Sequence, residues 1–364
     1  MKTLRESLLD IDSVQSDLEP TSLINEWCKE NIKGPYKIDP KTLDINSRGN
    51  IEITNEDITE FPDFIHFGRV SGYFDCSDCK KLTSLKGAPE KVGKNFSCSK
   101  CTSLTSLEYA PKEVGGNFSC NDCKKLTSLE GAPEKVVGYF DCYVCDNLIS
   151  LKGTPKEVGG HFDCSNCKNL TSLEGAPEKV DGIFNCTYCT SLTSLEGAPK
   201  KVDGDFNCFD CDSLQSLKGA PKEVGGDFNC SYCERLTSLE YAPEKVGRNF
   251  NCYDCDSLQS LKGAPEKVGK GFICYNCNRL TSLEYAPKEV GGYFNCSGCN
   301  SLTSLKGAPE KVDGNFNCSY CKILTSFEGA PEKVGGYFDC SGCNNLDSLK
   351  GIPKEVGGSF YFLH

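Results

Sequence analysis

Paired cysteines are the feature of this chain with the clearest chemical potential. Cys76 and Cys79 form a C-x-x-C pair, and an equivalent pair recurs every 22 residues up to Cys340 and Cys343. Consecutive pairs give the spacing C-x2-C-x18-C-x2-C, which is a common signature of zinc sites. Three roles are therefore open for these side chains: packing as thiols, zinc binding, or disulfide bonding.

Buried thiols are the interpretation that the surrounding residues favour. Cys76 follows Phe74 with one residue between them, so both side chains point inward from a strand. A zinc-bound thiolate is costly to bury beside a phenylalanine, and an odd number of equivalent pairs leaves one pair without a partner. Disulfides need an oxidising compartment, whereas the N-terminal sequence lacks the apolar centre of a signal peptide. We expect no metal and no other cofactor.

Catalytic residues are not recognisable in the sequence. Histidine occurs three times, as His66, His161 and His364, and none shares a repeat with an acid that departs from the pattern. Catalysis needs a few residues that differ from their neighbours and meet in a pocket. Here each acidic or hydroxyl residue recurs as a ladder, so the sequence predicts a protein that is not an enzyme.

Composition narrows the range of partners and compartments. The net charge is −11 and the chain has no basic stripe, so DNA and RNA are not expected ligands. No apolar run approaches the length of a membrane-spanning helix, which predicts no membrane insertion. We expect a cytoplasmic protein, either of a bacterium or of an infected host cell, with a place in a virion as the alternative.

A strict 22-residue repeat determines the secondary structure that positions the cysteines. The consensus V-x-G-x-F-x-C-x-x-C-x-x-L-T-S-L-x-G-A-P-x-x fills residues 70–364 as thirteen copies and a closing strand. A fixed period in the twenties predicts a solenoid, in which each repeat forms one turn of a coil. Alternation in F-x-C predicts one short strand per turn, and these strands stack in parallel at about 4.8 Å. Leu82, Leu85 and Val92 are expected to complete the core.

The residues before the array predict a helical segment. Residues 1–36 are assigned to it, with an amphipathic helix over residues 3–18. A second helix begins after a cap at Thr21 or Ser22 and ends by Gly34.

Residues 37–69 predict a β-hairpin and a degenerate capping repeat. The hairpin pairs residues 43–45 with Ile51–Ile53 across a turn at residues 46–49. An open solenoid end requires an atypical unit of this kind, because its core would otherwise face water.

The repeat resembles a leucine-rich repeat. F-x-C-x-x-C at Phe74 matches the L-x-L-x-x-C part of that motif, and C-K-K-L-T-S-L from Cys79 resembles the C-x-x-L-T-S-I phrase of bacterial BspA-like, or treponemal-type, repeats. The resemblance covers about residues 51–364. It implies a leucine-rich-repeat-like right-handed coil with one short parallel β-strand per 22-residue turn. Such uniform arrays are also similar to those of uncharacterised proteins from bacteria and their phages.

Variable positions predict a recognition surface on the concave face of the sheet. Core and turn residues are nearly constant between repeats, so variation concentrates on outward positions around the cysteines. Aromatic residues beside adaptable polar groups are typical of recognition surfaces, although ladders of tyrosine and asparagine also stabilise exposed sheets. The predicted binding residues are Tyr143, Asn185, Tyr188, Asn207, Phe209, Asn229, Tyr232, Asn251, Tyr253 and Tyr275.

These patterns lead to one main functional prediction and two alternatives. The main prediction is a non-enzymatic scaffold that binds a protein partner through the concave face, with a glycan as a variant ligand of the same face. The first alternative is a structural spacer in a phage particle or surface assembly, in which residues 1–36 carry the role. The second is a zinc-binding array of C-x-x-C motifs.

Overall fold

The computed structural model describes residues 20–362, which divide into two compact units. The first unit extends to residue 160, and the second begins at residue 161. In both units the chain winds as a coil, and each 22-residue turn contributes a short strand to each of two sheets. We call sheet A the sheet that contains the F-x strands, and sheet B the sheet whose strands end at the repeated valine. The strand predicted at F-x-C is confirmed, and the strand in sheet B is additional.

Helix α1 (Pro20–Asn31) covers the first turn of the coil. Proline suits the start of a helix, because its missing N–H would have no partner there. The Trp27 ring meets the edge of Phe61 with a centroid distance of 6.3 Å, and Ile24 and Cys28 are buried beneath the helix. The helix therefore caps the apolar interior at this end of the first unit.

The first unit contains thirteen strands in its described part. Those in sheet A are β1 (Ile32–Lys33), β4 (Ile51–Ile53), β6 (Phe74–Asp75), β8 (Phe96–Ser97), β10 (Phe118–Ser119) and β12 (Phe140–Asp141). Those in sheet B are β2 (Lys37–Ile38), β3 (Ile45–Ser47), β5 (Phe67–Val70), β7 (Lys91–Val92), β9 (Glu113–Val114), β11 (Lys135–Val136) and β13 (Glu157–Val158). From β3 and β4 onward, neighbouring strands of each sheet are parallel.

Two details of the predicted cap differ from the structure. The second helix ends at Asn31 instead of Gly34, because the next two residues pair as β1 with β4. The hairpin between residues 43–45 and Ile51–Ile53 is not formed, since β3 pairs with β2 and lies in the other sheet. Residues 48–50 instead carry the chain from β3 in sheet B to β4 in sheet A, and the hairpin of this region joins β2 and β3. The helix predicted over residues 3–18 lies outside the described residues.

The second unit repeats the same turn without interruption. Its strands in sheet A are β14 (Phe162–Asp163), β16 (Phe184–Asn185), β18 (Phe206–Asn207), β20 (Phe228–Asn229), β22 (Phe250–Asn251), β24 (Phe272–Ile273), β26 (Phe294–Asn295), β28 (Phe316–Asn317), β30 (Phe338–Asp339) and β32 (Phe360–Tyr361). Its strands in sheet B are β15 (Lys179–Val180), β17 (Lys201–Val202), β19 (Glu223–Val224), β21 (Lys245–Val246), β23 (Lys267–Val268), β25 (Glu289–Val290), β27 (Lys311–Val312), β29 (Lys333–Val334) and β31 (Glu355–Val356).

The register of sheet A in the second unit has no offset. Phe184 pairs with Phe206, and every later turn repeats this match. Residues 22 positions apart therefore lie side by side, which lets a residue type form a ladder.

One set of apolar side chains fills the core of each turn between Phe74 and Val334, whereas Leu349 of the last turn is exposed. In the turn that begins at β20, the buried members are Phe228, Cys230, Cys233, Leu236, Leu239 and Val246. Phenylalanine rings of neighbouring turns stack, as Phe206 and Phe228 do with centroids 5.4 Å apart. The inward direction predicted for both cysteines and both leucines is confirmed. No helix described between residues 20 and 362 is long and apolar enough to cross a membrane.

Candidate functional site

The two cysteines of a turn donate hydrogen bonds to backbone carbonyls. The Sγ of Cys255 donates to the carbonyl oxygen of Cys230 at 3.2 Å, and the Sγ of Cys230 donates to the carbonyl of Asn251 at 3.4 Å. The first of these bonds recurs in the pairs Cys101–Cys76, Cys123–Cys98, Cys145–Cys120, Cys189–Cys164, Cys211–Cys186, Cys233–Cys208, Cys277–Cys252, Cys299–Cys274, Cys321–Cys296 and Cys343–Cys318. The thiols thus link each turn to the turns before and after it.

Burial favours the protonated form of several cysteines of the array. It raises the pKa of Cys79 to about 12 and that of Cys252 well above its usual range. Zinc binding requires a thiolate, whereas a thiol that donates to a carbonyl retains its proton. Among residues 20–362, no three side chains of the metal-binding types are grouped so that they could hold an ion. The geometry agrees with the packing role predicted from sequence.

Five aromatic rings from five consecutive turns form a continuous row in the second unit. We call this set the aromatic row: Tyr188, Phe209, Tyr232, Tyr253 and Tyr275. Successive ring centroids are 5.7, 5.0, 5.6 and 4.5 Å apart. Aromatic pairs at such distances attract each other beyond the effect of buried area alone. The row brings together all five of the aromatic residues predicted for this unit.

The rings occupy two columns of the C-x-x-C segment. Phe209, Tyr253 and Tyr275 follow the first cysteine of their turns, whereas Tyr188 and Tyr232 precede the second. Because turns stack at about 4.8 Å, a ring in one column reaches the ring of the next turn in the other column. Tyr188 and Tyr232 are 46% and 42% exposed, and the other three rings are half-buried. The row is therefore an apolar strip that faces solvent.

Tyr188 and Tyr232 occupy a strained backbone position. Their φ angles are +59° and +58°, in the left-handed region. Six other turns place aspartate or asparagine at this position and two place glycine, all with positive φ. Those residue types tolerate this conformation, whereas other L-residues are disfavoured there by about 1–2 kcal/mol. Lys100, Val144 and Tyr320 also occupy this position at positive φ in the remaining turns, so the strain by itself does not distinguish the row.

The predicted asparagines mainly hold the turn that carries the rings. The Oδ1 of Asn207 accepts a hydrogen bond from the N–H of Phe209 at 3.2 Å. Asn185 and Asn229 accept equivalent bonds from the second residue after them, at 3.2 and 3.0 Å. This arrangement is an Asx turn, which fixes the local backbone. Asn251 lies half-buried in the same column. We therefore assign Asn185, Asn207 and Asn229 a positioning role beneath the row.

Tyr143 belongs to the first unit and is described apart from the row. Its side chain is exposed, and its N–H donates to the Oδ1 of Asp141 at 3.2 Å, as in the Asx turns of the second unit. Tyr143 thus shares the local geometry predicted for the site.

Carboxylates give the row a negative environment. The charge of Asp254 is the main cause of the raised pKa of Tyr232, and Asp210 adds to it. Burial, with Tyr253 and Asp254 beside it, raises the pKa of Tyr275 to about 12. The raised pKa values keep the hydroxyls of Tyr232 and Tyr275 neutral at physiological pH.

Three further exposed tyrosines were missed in the sequence. Tyr109, Tyr241 and Tyr285 replace the glycine of the L-x-G-A-P segment, which other turns place at positive φ. Their φ angles are +68°, +71° and +71°. The break in the glycine column is the signal that marks them, and they lie outside the predicted surface because it comprised outward positions around the cysteines. In its own turn, each of the three lies nine residues after the position that Tyr232 occupies, in the segment that leads to sheet B.

His161 has a structural partner. Its Nδ1 accepts a hydrogen bond from the N–H of Ile183 in the next turn at 2.7 Å. The Oδ1 of Asn249 likewise accepts a hydrogen bond from the N–H of Gly271 at 2.9 Å. His161 is therefore one member of a ladder of backbone acceptors.

Comparison with known proteins gives limited further information. No protein-family model matches the chain, and no curated protein matches it. The crystal structure of a leucine-rich repeat protein from Bacteroides ovatus ATCC 8483 is similar, with 15% identity and a TM-score of 0.47, over 92% of this chain and 98% of that one. The parallel, in-register F-x strands and the 22-residue coil define the fold here. The chain is a parallel β-solenoid of 22-residue turns. Its membership of the leucine-rich repeats, and of the BspA-like type among them, stays a prediction.

Proposed function

We propose that this solenoid is a non-enzymatic scaffold that binds a protein partner through the aromatic row. The observation that carries the proposal is the row itself: five contacting rings on the solvent side of consecutive turns. Solenoids of stacked repeats present extended surfaces that are used in this way. Tyrosine and other aromatic anchors supply most of the binding energy in many protein interfaces.

The support beneath the row favours binding over a purely structural ladder. Tyrosine offers a large contact area with little loss of side-chain entropy on binding. Here the backbone that carries Phe209 is fixed by the Asx turn of Asn207, and the rings restrain one another by contact.

The decisive variants use residues that the array already contains at the same positions. Tyr232→Asn installs the residue type found at Asn276, and Tyr253→Ser installs the type found at Ser231. Both changes should preserve the fold. We expect the double variant to lose about 2 kcal/mol of affinity for a partner captured from lysate of the source organism and then purified.

A matched control is present in the same unit. Tyr241→Gly with Tyr285→Gly removes two tyrosines that are 62% and 60% exposed and also lie at positive φ. Capture by this control should equal that of the original protein. Equal capture by the Tyr232→Asn, Tyr253→Ser variant would refute the proposal.

The spacer alternative makes the opposite prediction. It expects the aromatic row to be dispensable and the N-terminal segment to be essential. Removal of residues 1–36 is not a clean test, because α1 covers the first turn of the core. Removal of residues 1–19 leaves α1 in place, and loss of capture in that variant alone would favour the spacer.

A further inference from the structure

Carboxylates alternate with rings along the aromatic row. The position before the second cysteine reads Tyr188, Asp210, Tyr232, Asp254 in consecutive turns. The rings of Phe209 and Tyr253 lie in the other column of the two turns that carry the aspartates. Each aspartate is therefore next to a ring of its own turn and faces the rings of adjacent turns across about 4.8 Å.

Three more acids extend this negative surface. Asp212, Glu234 and Asp256 follow the second cysteine in the turns that carry Asp210, Tyr232 and Asp254, respectively. Burial, Asp212 and Glu234 raise the pKa of Asp210, as expected for crowded carboxylates without a cation between them.

The acids of this surface form no ion pair with a lysine or arginine among residues 20–362. They are Asp210, Asp212, Glu234, Asp254 and Asp256. On the sheet B side, by contrast, carboxylates pair with lysines of neighbouring turns, as Glu223 and Glu289 do with Lys245 and Lys267 at 2.6 Å.

Amide groups hold two of these acids in place. Asn276 donates from its Nδ2 to the Oδ1 of Asp254 at 3.0 Å, and Asn278 donates likewise to Asp256 at 2.9 Å. These neutral amide donors orient the carboxylates without neutralising their negative charge. Since these carboxylates are spread over several turns and do not gather as a metal site within residues 20–362, they suit several separate cations better than one ion.

We infer that the aromatic row binds an arginine-bearing basic segment of the partner, with guanidinium groups over the rings and paired with Asp210 and Asp254. This inference rests on the proposed function, since it specifies the partner of the same surface. A guanidinium group stacks on aromatic faces and pairs with a carboxylate through a planar fork of donors. Lysine pairs as a point charge without the planar stacking, so arginine is the better match.

Peptide binding by the full-length protein tests the inference. The probes are fluorescein-labelled peptides in which glycine alternates with arginine, with lysine or with glutamate, measured by fluorescence anisotropy at about 150 mM salt. We expect the arginine peptide to bind at least about threefold more tightly than the lysine peptide, and the glutamate peptide not to bind. A glycan probe, mannan, serves as the other class of ligand.

Two double variants separate site binding from general attraction to an acidic protein. Asp210→Asn with Asp254→Asn removes two charges and keeps a residue type that tolerates positive φ, as Asn276 does. Glu223→Gln with Glu289→Gln removes two charges on the sheet B side. The first variant should weaken arginine-peptide binding by about tenfold or more, and the second should change it less than twofold. Equal losses, no arginine preference, or preference for mannan would overturn the inference.

The outcome also distinguishes this inference from the proposed function. If Tyr232→Asn with Tyr253→Ser abolishes capture of the native partner while Asp210→Asn with Asp254→Asn leaves it unchanged, the row binds protein but not through basic residues. If the tyrosine variant captures the partner normally, the proposed function itself fails.

Discussion

The rings of Tyr253 and Tyr275 lie parallel, with centroids 4.5 Å apart and an angle of 10° between the ring planes. Both residues follow the first cysteine of their turns, and the zero offset of sheet A places them directly side by side. The next turn has Ser297 and Gly298 at the two ring-bearing positions, so the row ends at Tyr275. The length of the row is thus set by how many consecutive turns carry a ring.

Backbone strain predicts a stabilising substitution. Val144 has a φ of +60°, which is unfavourable for a β-branched residue. Val144→Asn should raise the free energy of unfolding by about 1 kcal/mol, because asparagine tolerates this conformation. Equilibrium unfolding in urea measures the change.

A second exposed valine provides the control for that substitution. Val137 is exposed and is not among the residues with positive φ. Val137→Asn should not be stabilising. Equal effects of the two substitutions would show that φ at Val144 is not the cause.

The thiol hydrogen bonds predict the relative stability of two variants at Cys255. Cys255→Ala removes the donor to the carbonyl of Cys230 and should destabilise the protein by about 1–3 kcal/mol. Cys255→Ser keeps a donor and should cost less than the alanine change. Urea unfolding of the two variants measures the order, and a serine variant less stable than the alanine variant would contradict a donor role for the thiol.

Burial of the thiols predicts a loss of stability in alkali. The pKa of Cys79 and that of Cys340 are raised to about 12 from an ordinary value of 9.0. Below pH 9 both folded and unfolded thiols are protonated, so the stability is fully present. Between pH 9 and pH 12 the unfolded chain loses protons that the folded chain keeps, so stability falls by up to about 1.4 kcal/mol per pH unit for each such thiol.

Urea midpoints under reducing conditions, at about pH 8 and about pH 10.5, test this pH dependence. We expect a clear decrease at the higher pH, since many buried cysteines act in the same direction. An unchanged midpoint would mean that the thiols are accessible to water.

Metal removal should leave the protein unchanged. Because the thiols donate to carbonyls, protein purified without chelator should contain well under one zinc ion per chain, and EDTA should not alter its circular dichroism or Tm. Several tightly held zinc ions, with unfolding on chelation, would restore the zinc-array alternative.

The 22-residue period made most of the coil predictable, but the pairing of individual strands could not be predicted from it. F-x-C alternation identified the inward cysteines at each turn. The two-residue strand that ends at Val92 is too short to show alternation, so sheet B escaped prediction. The hairpin error at Ile51 arose because alternating residues look the same whether they pair with each other or with separate strands.

The row was predictable as a set of residues but not as a set of contacts. Its members are spaced 21, 23, 21 and 22 positions apart, so the first three contacts run diagonally between columns and the last lies within one column. Only the zero offset of sheet A shows that these spacings place rings together. The support given by Asn207 was also hidden, because an outward asparagine has the same sequence pattern whether it binds a partner or accepts a bond from its own backbone.

Hydroxyl-radical footprinting of the full-length protein with its purified partner tests the central claim most directly. Mass spectrometry reports oxidation of each tyrosine with and without partner. The aromatic row predicts several-fold protection of Tyr188 and Tyr232, with no change at Tyr241 and Tyr285, which are exposed elsewhere on the same unit. Protection of Tyr241 and Tyr285 with unchanged oxidation of Tyr188 and Tyr232 would contradict the account.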